Sequence, residues 1–196
     1  MVRLKEAEII PDVLEAFAPK VDIAVHWPNA TARLGNLISP DELQDAPKLH
    51  LTAVKAAYHH ELKGQQLTLA LSDPDAPSRD NPKWSEVCHW LITSLPLHSP
   101  SSLSSLAEDV AEMAKATDLV EYKPPGPPEK TGKHRYVLVL MAPKNGTKAG
   151  LDLEAPSGRQ HWGFESHQRR VGVGRWMREM GLEVVGKSRT ALFASV

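Results

Sequence analysis

An uninterrupted apolar run in the second half of the chain limits its fold more than any other feature. Residues Tyr136–Met141 are all apolar, and Pro143 follows them closely. Such a run, ended by a proline, is typical of a β-strand that is buried on both faces. Strand-like patterns also occur at Val21–Trp27, Leu67–Leu71 and Val87–Thr93. Strands at irregular spacing, with only short helical patterns between them, predict a mainly β fold, an antiparallel sandwich rather than βαβ units.

Shorter segments complete the predicted secondary structure. Leu182–Val185 and Ala191–Phe193 are expected to be closing strands. Helical periodicity predicts short helices within residues 106–116 and 169–181, and a further helix starting near Ile10, with Pro11 in its first turn.

Composition limits the classes of function. The 196 residues are 41% hydrophobic and 24% charged, as in ordinary soluble proteins, and we expect residues 1–196 to form one domain. The formal net charge of −1 does not favour a nucleic-acid partner. No apolar stretch reaches the ~20 residues that span a bilayer, and the charged N-terminus is unlike a signal peptide. We therefore expect a cytoplasmic protein without a transmembrane segment.

Two proline-containing segments place ionisable groups at the ends of the apolar strands. Asp73–Arg79 follows one strand, and Thr131–Tyr136 leads into another. Prolines restrict the backbone, so these groups are held on stiff turns. A structural ion pair between Asp75 and Arg79 is expected to brace the first turn. His89 lies within an apolar strand and needs a hydrogen-bond partner if it is buried.

The sequence predicts no metal site and no cofactor. Nine histidines are present, but there is no H-E-x-x-H motif, and a single cysteine excludes a cysteine zinc site and an intramolecular disulfide. Cys88 is expected to point into the core if His89 points into a pocket, because neighbouring strand residues alternate faces.

Three motifs together resemble the phosphatidylethanolamine-binding protein family. They are Asp73–Arg79, Cys88–Trp90 and Gly126–Tyr136, in the family's order and at about its spacing. Asp80–Glu86 and Gly174–Trp176 look like the branch related to the fungal carboxypeptidase Y inhibitor.

The resemblance implies a β-sandwich with short flanking helices and a small anion pocket at one end. Its implied ligand-binding residues are Asp73, Pro77, Trp84, His89, Pro128, His134 and Tyr136. Family members bind phosphate, acetate or phospholipid head groups there, and Asp73 is expected to orient a histidine.

The resemblance leaves three functions open. The first is a binding protein for anionic small molecules or phospholipid head groups. The second is an enzyme of fungal polyketide biosynthesis that couples maleic-anhydride monomers into maleidrides. His89 or His134 would then be the general base, with Tyr136 polarising an oxygen and Asp73 in support. The third is inhibition of a serine carboxypeptidase.

This sequence departs from the family pattern at several positions. Lys130 stands where many relatives have glycine, and residues 46–51 lack the usual clear strand sequence. The C-terminal segment differs from that of close relatives, and the N-terminus does not clearly reproduce the segment through which the protease inhibitor acts.

Overall fold

The computed structural model describes residues 2–33, 35–101, 113–148, 150–162, 172–188 and 191–194. Two of the predicted helices fall partly outside these ranges, since residues 106–112 and 169–171 are not described.

Within the described residues, the larger sheet has six strands, and all of its pairings are antiparallel. Its strands are β3 (Leu67–Asp73), β4 (Val87–Leu95), β5 (Thr117–Val120), β6 (His134–Pro143), β7 (Leu182–Val184) and β9 (Ala191–Ala194). Their order is β5–β4–β3–β6–β7, and β9 pairs with the beginning of β6.

The smaller sheet has the order β2–β1–β8. Its strands are β1 (Val21–His26), β2 (Lys48–Ala53) and β8 (Gly186–Ser188). The β1–β8 pair runs parallel, so the sandwich is not wholly antiparallel. A Cβ at Gly186 would overlap Leu140 of the larger sheet, so glycine permits the close approach of the two sheets.

The larger sheet is covered on both faces, which explains the long apolar run. Leu138 and Leu140 of β6 pack into the core between the two sheets. Val137 and Val139 point to the opposite face, into a second core that includes Trp162 and Trp176. Every residue of β6 is consequently buried, as the run predicted.

The helices are short and lie around the sandwich. They are α1 (Val2–Glu6), α2 (Ile9–Asp12), α3 (Ala56–Leu62) and α4 (Gly172–Glu179), with 3₁₀ turns at Pro40–Leu43 and Lys144–Gly146. None of the described helices is long and apolar enough to cross a lipid bilayer.

Two local predictions were wrong. No regular helix starts at Ile10, which has extended dihedral angles (φ −110°, ψ 116°) within the turn that α2 forms. The ring of Pro11 disfavours the helical conformation for the residue before it. Residues 46–51, where no clear strand was expected, contribute to β2, whose Leu49 and Leu51 face the core.

Candidate functional site

The chain folds so that the two proline-containing segments meet. β3 and β6 are antiparallel neighbours, and Ser72 lies opposite Val137. The end of β3 at Asp73 therefore lies beside the beginning of β6 at His134. The ring of Tyr136 is 5.1 Å, centroid to centroid, from that of His89 on β4 and 6.3 Å from that of His134.

A β-bulge in β4 directs His89 towards this cluster. Leu71 pairs with Trp90 and Ser72 with Cys88, so His89 is the extra residue between them. Bulges of this kind change the direction of a side chain and are common beside functional sites. Cys88 points to the opposite side and is buried in the second core, as expected. Burial raises the pKa of the Cys88 thiol to about 12.

Asp73 and His134 form a buried pair. Nδ1 of His134 lies 2.8 Å from Oδ2 of Asp73, and both side chains are almost fully shielded from solvent. Oδ1 of Asp73 accepts the backbone N–H of Asp75 at 2.7 Å, which fixes the carboxylate in its turn. These contacts place Asp73 where it could orient His134, and that role stays a prediction.

The hydrogen-bond pattern indicates that His134 carries both ring hydrogens. The hydroxyl of Thr131 donates its only hydrogen to the Pro128 carbonyl at 2.6 Å. It can then only accept from Nε2 of His134, 3.1 Å away, while Nδ1 donates to Asp73. Burial alone would lower the pKa of His134, but the hydrogen bond and charge of Asp73 outweigh it and raise that pKa. The hydrogen-bond pattern and the raised pKa both favour the imidazolium form of His134, paired with the Asp73 carboxylate.

His89 has the opposite protonation state. Its Nδ1 lies 2.9 Å from the carbonyl oxygen of Lys123, which can only accept, so Nδ1 carries the hydrogen. In the neutral ring Nε2 is then an acceptor. Burial lowers the pKa of His89; the charges of Lys123 and Arg159 also lower it, and Asp73 opposes them. The surroundings of the pocket thus favour a charged His134 beside a neutral His89.

Tyr136 supplies a hydroxyl beside both histidines. Burial raises the pKa of Tyr136, and the charge of Asp73 raises it further, while a hydrogen bond with the Gly126 backbone opposes these effects. The phenol therefore stays protonated, and its hydroxyl donates to the Asp73 carboxylate, a hydrogen bond that also raises the pKa of Tyr136.

The remaining predicted pocket residues lie on the two turns and at the rim. Pro77 is half-buried, and its backbone raises the pKa of His134 through a hydrogen bond. Pro128 is exposed, and its carbonyl accepts a hydrogen bond from the Thr131 hydroxyl. Trp84 is 37% exposed, and the Lys83 ammonium lies 5.3 Å from the centre of its ring. The backbone N–H of Trp84 donates to the Ala76 carbonyl and so connects the segment around Trp84 to the first proline-containing turn.

The predicted Asp75–Arg79 ion pair is replaced by other partners. Both oxygens of Asp75 are bound by Arg135, at 2.7 Å to Nη2 and 2.9 Å to Nε. The backbone N–H of Arg135 also donates to this carboxylate. Arg79 instead pairs with Glu8 at 2.6 Å. Arg135 directly follows His134 and therefore points to the opposite face of β6, where it reaches the Asp75 carboxylate.

Sequence reasoning overlooked two residues that shape the pocket. Thr131 lies within the second motif but was assigned no role. Arg159 lies far along the chain, and its guanidinium donates to the carbonyls of Cys88, His89 and Glu121. The position of Thr131 three residues before His134 is a usable local signal, whereas Arg159 follows no recognisable motif.

A buried acid lies behind the pocket. The Glu86 carboxylate accepts from Ser72 Oγ at 2.6 Å and from the backbone N–H of Val173 at 3.4 Å. Burial raises the pKa of Glu86 to about 7, although both hydrogen bonds oppose that shift. Trp162 donates to the same Ser72 oxygen at 3.3 Å.

Two further observations delimit the site. Among the residues that the structure describes, no group of three or more His, Cys, Asp or Glu side chains could hold a metal ion. A cavity of about 510 Å³ lies between residues 11–18, α4 and β7. It shares no lining residue with the histidine cluster and is a separate feature.

Comparisons with known proteins agree with this architecture. The profile of the phosphatidylethanolamine-binding protein family matches residues 16–187. The carboxypeptidase Y inhibitor of Saccharomyces cerevisiae is 28% identical over 200 residues, covering 94% of this chain and 90% of the inhibitor. The protein BROTHER of FT and TFL 1 of Arabidopsis thaliana is 32% identical over 138 residues, covering 68% of this chain and 64% of that protein.

Solved structures give the same result. A carboxypeptidase Y inhibitor, in complex with its cognate proteinase, superposes with a TM-score of 0.80 at 26% identity, covering 100% of this chain and 94% of the inhibitor. A phosphatidylethanolamine-binding protein from Plasmodium vivax shares the fold, with a TM-score of 0.68 at 18% identity, covering 98% and 95% of the two chains.

Proposed function

This chain belongs to the phosphatidylethanolamine-binding protein family, and from that premise we propose that it binds anionic small molecules or phospholipid head groups. The observation that carries the proposal is the convergence of His89, His134, Tyr136 and Asp73 at one end of the sandwich. The ligand would lie among these side chains, bordered by Pro77, Trp84 and Pro128.

The chemistry of the pocket suits a small anion. The charge of His134 is balanced by Asp73, and the nearby cations Lys123 and Arg159 provide a favourable field for a negative ligand. The protonated hydroxyl of Tyr136, which is hydrogen-bonded to Asp73, would redirect its hydrogen to an anionic oxygen of the ligand. A hydrogen bond to a charged partner contributes roughly 1.5–3 kcal/mol, so the Tyr136 hydroxyl alone can change the affinity by about tenfold or more.

Titration calorimetry with inorganic phosphate and with glycerophosphoethanolamine tests this proposal. We expect Tyr136→Phe to weaken phosphate binding roughly tenfold, since one charge-assisted hydrogen bond is lost. The matched control is Tyr122→Phe, whose hydroxyl donates to Leu43 between the sheets. Equal losses in both variants, or no binding of either ligand to the unmodified protein, would contradict the proposal.

A second candidate function is inhibition of a serine carboxypeptidase. The superposition on the proteinase-bound inhibitor over the whole chain supports it. Purified carboxypeptidase Y from Saccharomyces cerevisiae provides the assay. Inhibition at nanomolar concentration of this protein would support the role, and unchanged peptidase activity at micromolar concentration would remove it.

The enzyme alternative, coupling of maleidride precursors, would use the same pocket with distinct roles for its two histidines. His89 offers an acceptor nitrogen, whereas both ring hydrogens of His134 are already donated. His89 would therefore be the general base and His134 a fixed cation. If so, His89→Ala should abolish turnover of an anhydride monomer, while the control His98→Ala retains it. Turnover that survives in His89→Ala would exclude this role.

The cellular setting belongs to the same proposal. The only thiol of the chain, Cys88, is buried and has a raised pKa. It therefore needs no oxidising compartment, and a cytoplasmic location suits the protein.

A further inference from the structure

Hydrogen-bond donors and acceptors are distributed unevenly among the side chains of the pocket. His134 already gives Nδ1–H to Asp73 and Nε2–H to Thr131. His89 gives Nδ1–H to the Lys123 carbonyl and is left with an acceptor at Nε2. The Asp73 carboxylate can only accept. The single hydrogen of Tyr136 is also donated to Asp73, so a ligand entering this pocket meets mainly acceptors.

A fully ionised oxyanion fits such a pocket poorly. Its oxygens can only accept, so an oxygen placed against Nε2 of His89 would face a lone pair instead of a hydrogen. Burying two acceptors against each other without a hydrogen between them costs about 1–3 kcal/mol. An oxyanion that carries a hydroxyl hydrogen avoids this cost because it can donate to Nε2.

We propose that His89 makes the pocket selective for oxyanions that carry a hydrogen-bond donor, such as hydrogen phosphate, over oxyanions that carry none, such as sulfate. This inference rests on the proposed anion-binding function and names the ligand class of that site. Because a phosphodiester also lacks a hydroxyl hydrogen, a phospholipid head group would have to present its ammonium to Nε2.

The groups around His89 support the neutral state. Asp73 on β3 favours the charged ring, while Lys123 in the loop after β5 and Arg159 disfavour it. Tyr136 and the cationic His134 face it from β6. Burial is the largest influence and lowers the pKa of His89, so the neutral ring predominates at pH 7 and above.

Hydrogen phosphate and sulfate provide a matched pair of probes. At pH 8 both are mainly tetrahedral dianions, and they differ in one hydrogen. We expect the unmodified protein to bind phosphate at least about tenfold more tightly than sulfate at pH 8, as one lost hydrogen bond requires.

The pH dependence sharpens this test. Sulfate can bind well only when His89 takes up a proton, so its affinity should rise by up to about tenfold per pH unit as pH falls from 8. The rise should end once pH drops below the lowered pKa of His89, and the preference for phosphate should shrink over the same range.

A variant assigns the effect to His89. In His89→Gln the side chain offers both a donor and an acceptor and does not titrate, so the preference and its pH dependence should largely disappear. His98→Gln is the control, since His98 lies beside the smaller sheet and stacks on His50. If His89→Gln does not fold, the two-anion comparison on the unmodified protein decides alone.

The outcomes separate the two proposals. Phosphate preferred at pH 8, with a gap that closes on acidification, supports the inference. Equal affinities for phosphate and sulfate at pH 8 overturn it and leave the anion-binding function intact. Binding of neither anion at any pH between 5 and 8 overturns the proposed function and this inference with it.

Discussion

Two buried ion pairs lie back to back on the larger sheet and have different surroundings. On the pocket face Asp73 binds His134, and on the reverse face Asp75 binds Arg135. His134 and Arg135 are neighbours in β6 and point to opposite faces, because a strand directs successive side chains to opposite faces. The two prolines of the first motif hold both carboxylates in place.

The reverse-face pair is fully enclosed by protein. Arg135 makes a bidentate contact with Asp75, and its Nη1 donates to the carbonyls of Ala7 and Glu8 and to Asp12. The N-terminal segment is thereby held against the motif. On the pocket face, by contrast, Nε2 of neighbouring His89 is left to accept from a ligand. The difference separates a pair that stabilises the fold from one that organises a binding site.

The largest expected effect is on the reverse face. Arg135→Met leaves the Asp75 carboxylate buried without its partner, which should lower the free energy of unfolding by about 3–5 kcal/mol. Urea denaturation measures this loss. Arg79→Met is the matched control, because its partly exposed contact with Glu8 should be worth no more than about 1 kcal/mol. Similar losses in both variants would remove the distinction between the two faces.

Glu86 extends the comparison to pH dependence. Its folded pKa of about 7 lies above the ordinary 4.5, so the native state binds more protons than the unfolded state between these values. Its ionisation should therefore destabilise the protein as pH rises from 4.5 to 7, by a total of about 3 kcal/mol. Glu86→Gln removes this titration, and its stability relative to the unmodified protein should rise with pH and level off above 7. Denaturation curves that keep a constant offset across this range would contradict the assignment.

Asp73→Asn tests the pocket-face pair. Without the carboxylate, the two largest influences that oppose burial are lost, and the pKa of His134 should fall. In the unmodified protein the pair stabilises fully below pH 6.5, and this contribution is lost as pH rises through the raised pKa of His134. Proton NMR titration of the ring measures the change, with Asp118→Asn, which removes the charge of a carboxylate that accepts from Trp90, as the control. A His134 pKa that stays raised in Asp73→Asn would show that Asp73 is not its cause.

The smallest expected effect is at the loop. Thr131→Val removes the hydroxyl that joins Pro128 to His134 and should lower stability by about 1 kcal/mol. Hydrogen exchange should accelerate for residues 128–134 only. Faster exchange of the Arg135 amide, which is bonded to Asp75, would show that the two faces are coupled.

Part of this arrangement follows from local sequence patterns. The continuous apolar run of β6 indicated a doubly covered strand, whereas the proximity of Asp73, His89 and His134 was implied only by the family resemblance. The pairing of Asp75 with Arg135 required knowing which residues face which side of a sheet, because 60 positions separate them. The bulge at His89 and the contacts of Arg159 depend on strand register and a distant loop, which no local pattern encodes.

Nitrogen-15 NMR of the histidine rings tests the central claim, two opposite protonation states in one pocket, most directly. At pH 7.5 without ligand, His134 should show two protonated nitrogens, and His89 should show a protonated Nδ1 with a bare Nε2. Saturating phosphate should shift the Nε2 resonance of His89 towards that of a hydrogen-bonded acceptor. Equal protonation states for the two rings, or a His89 Nε2 signal unchanged by phosphate, would contradict the account.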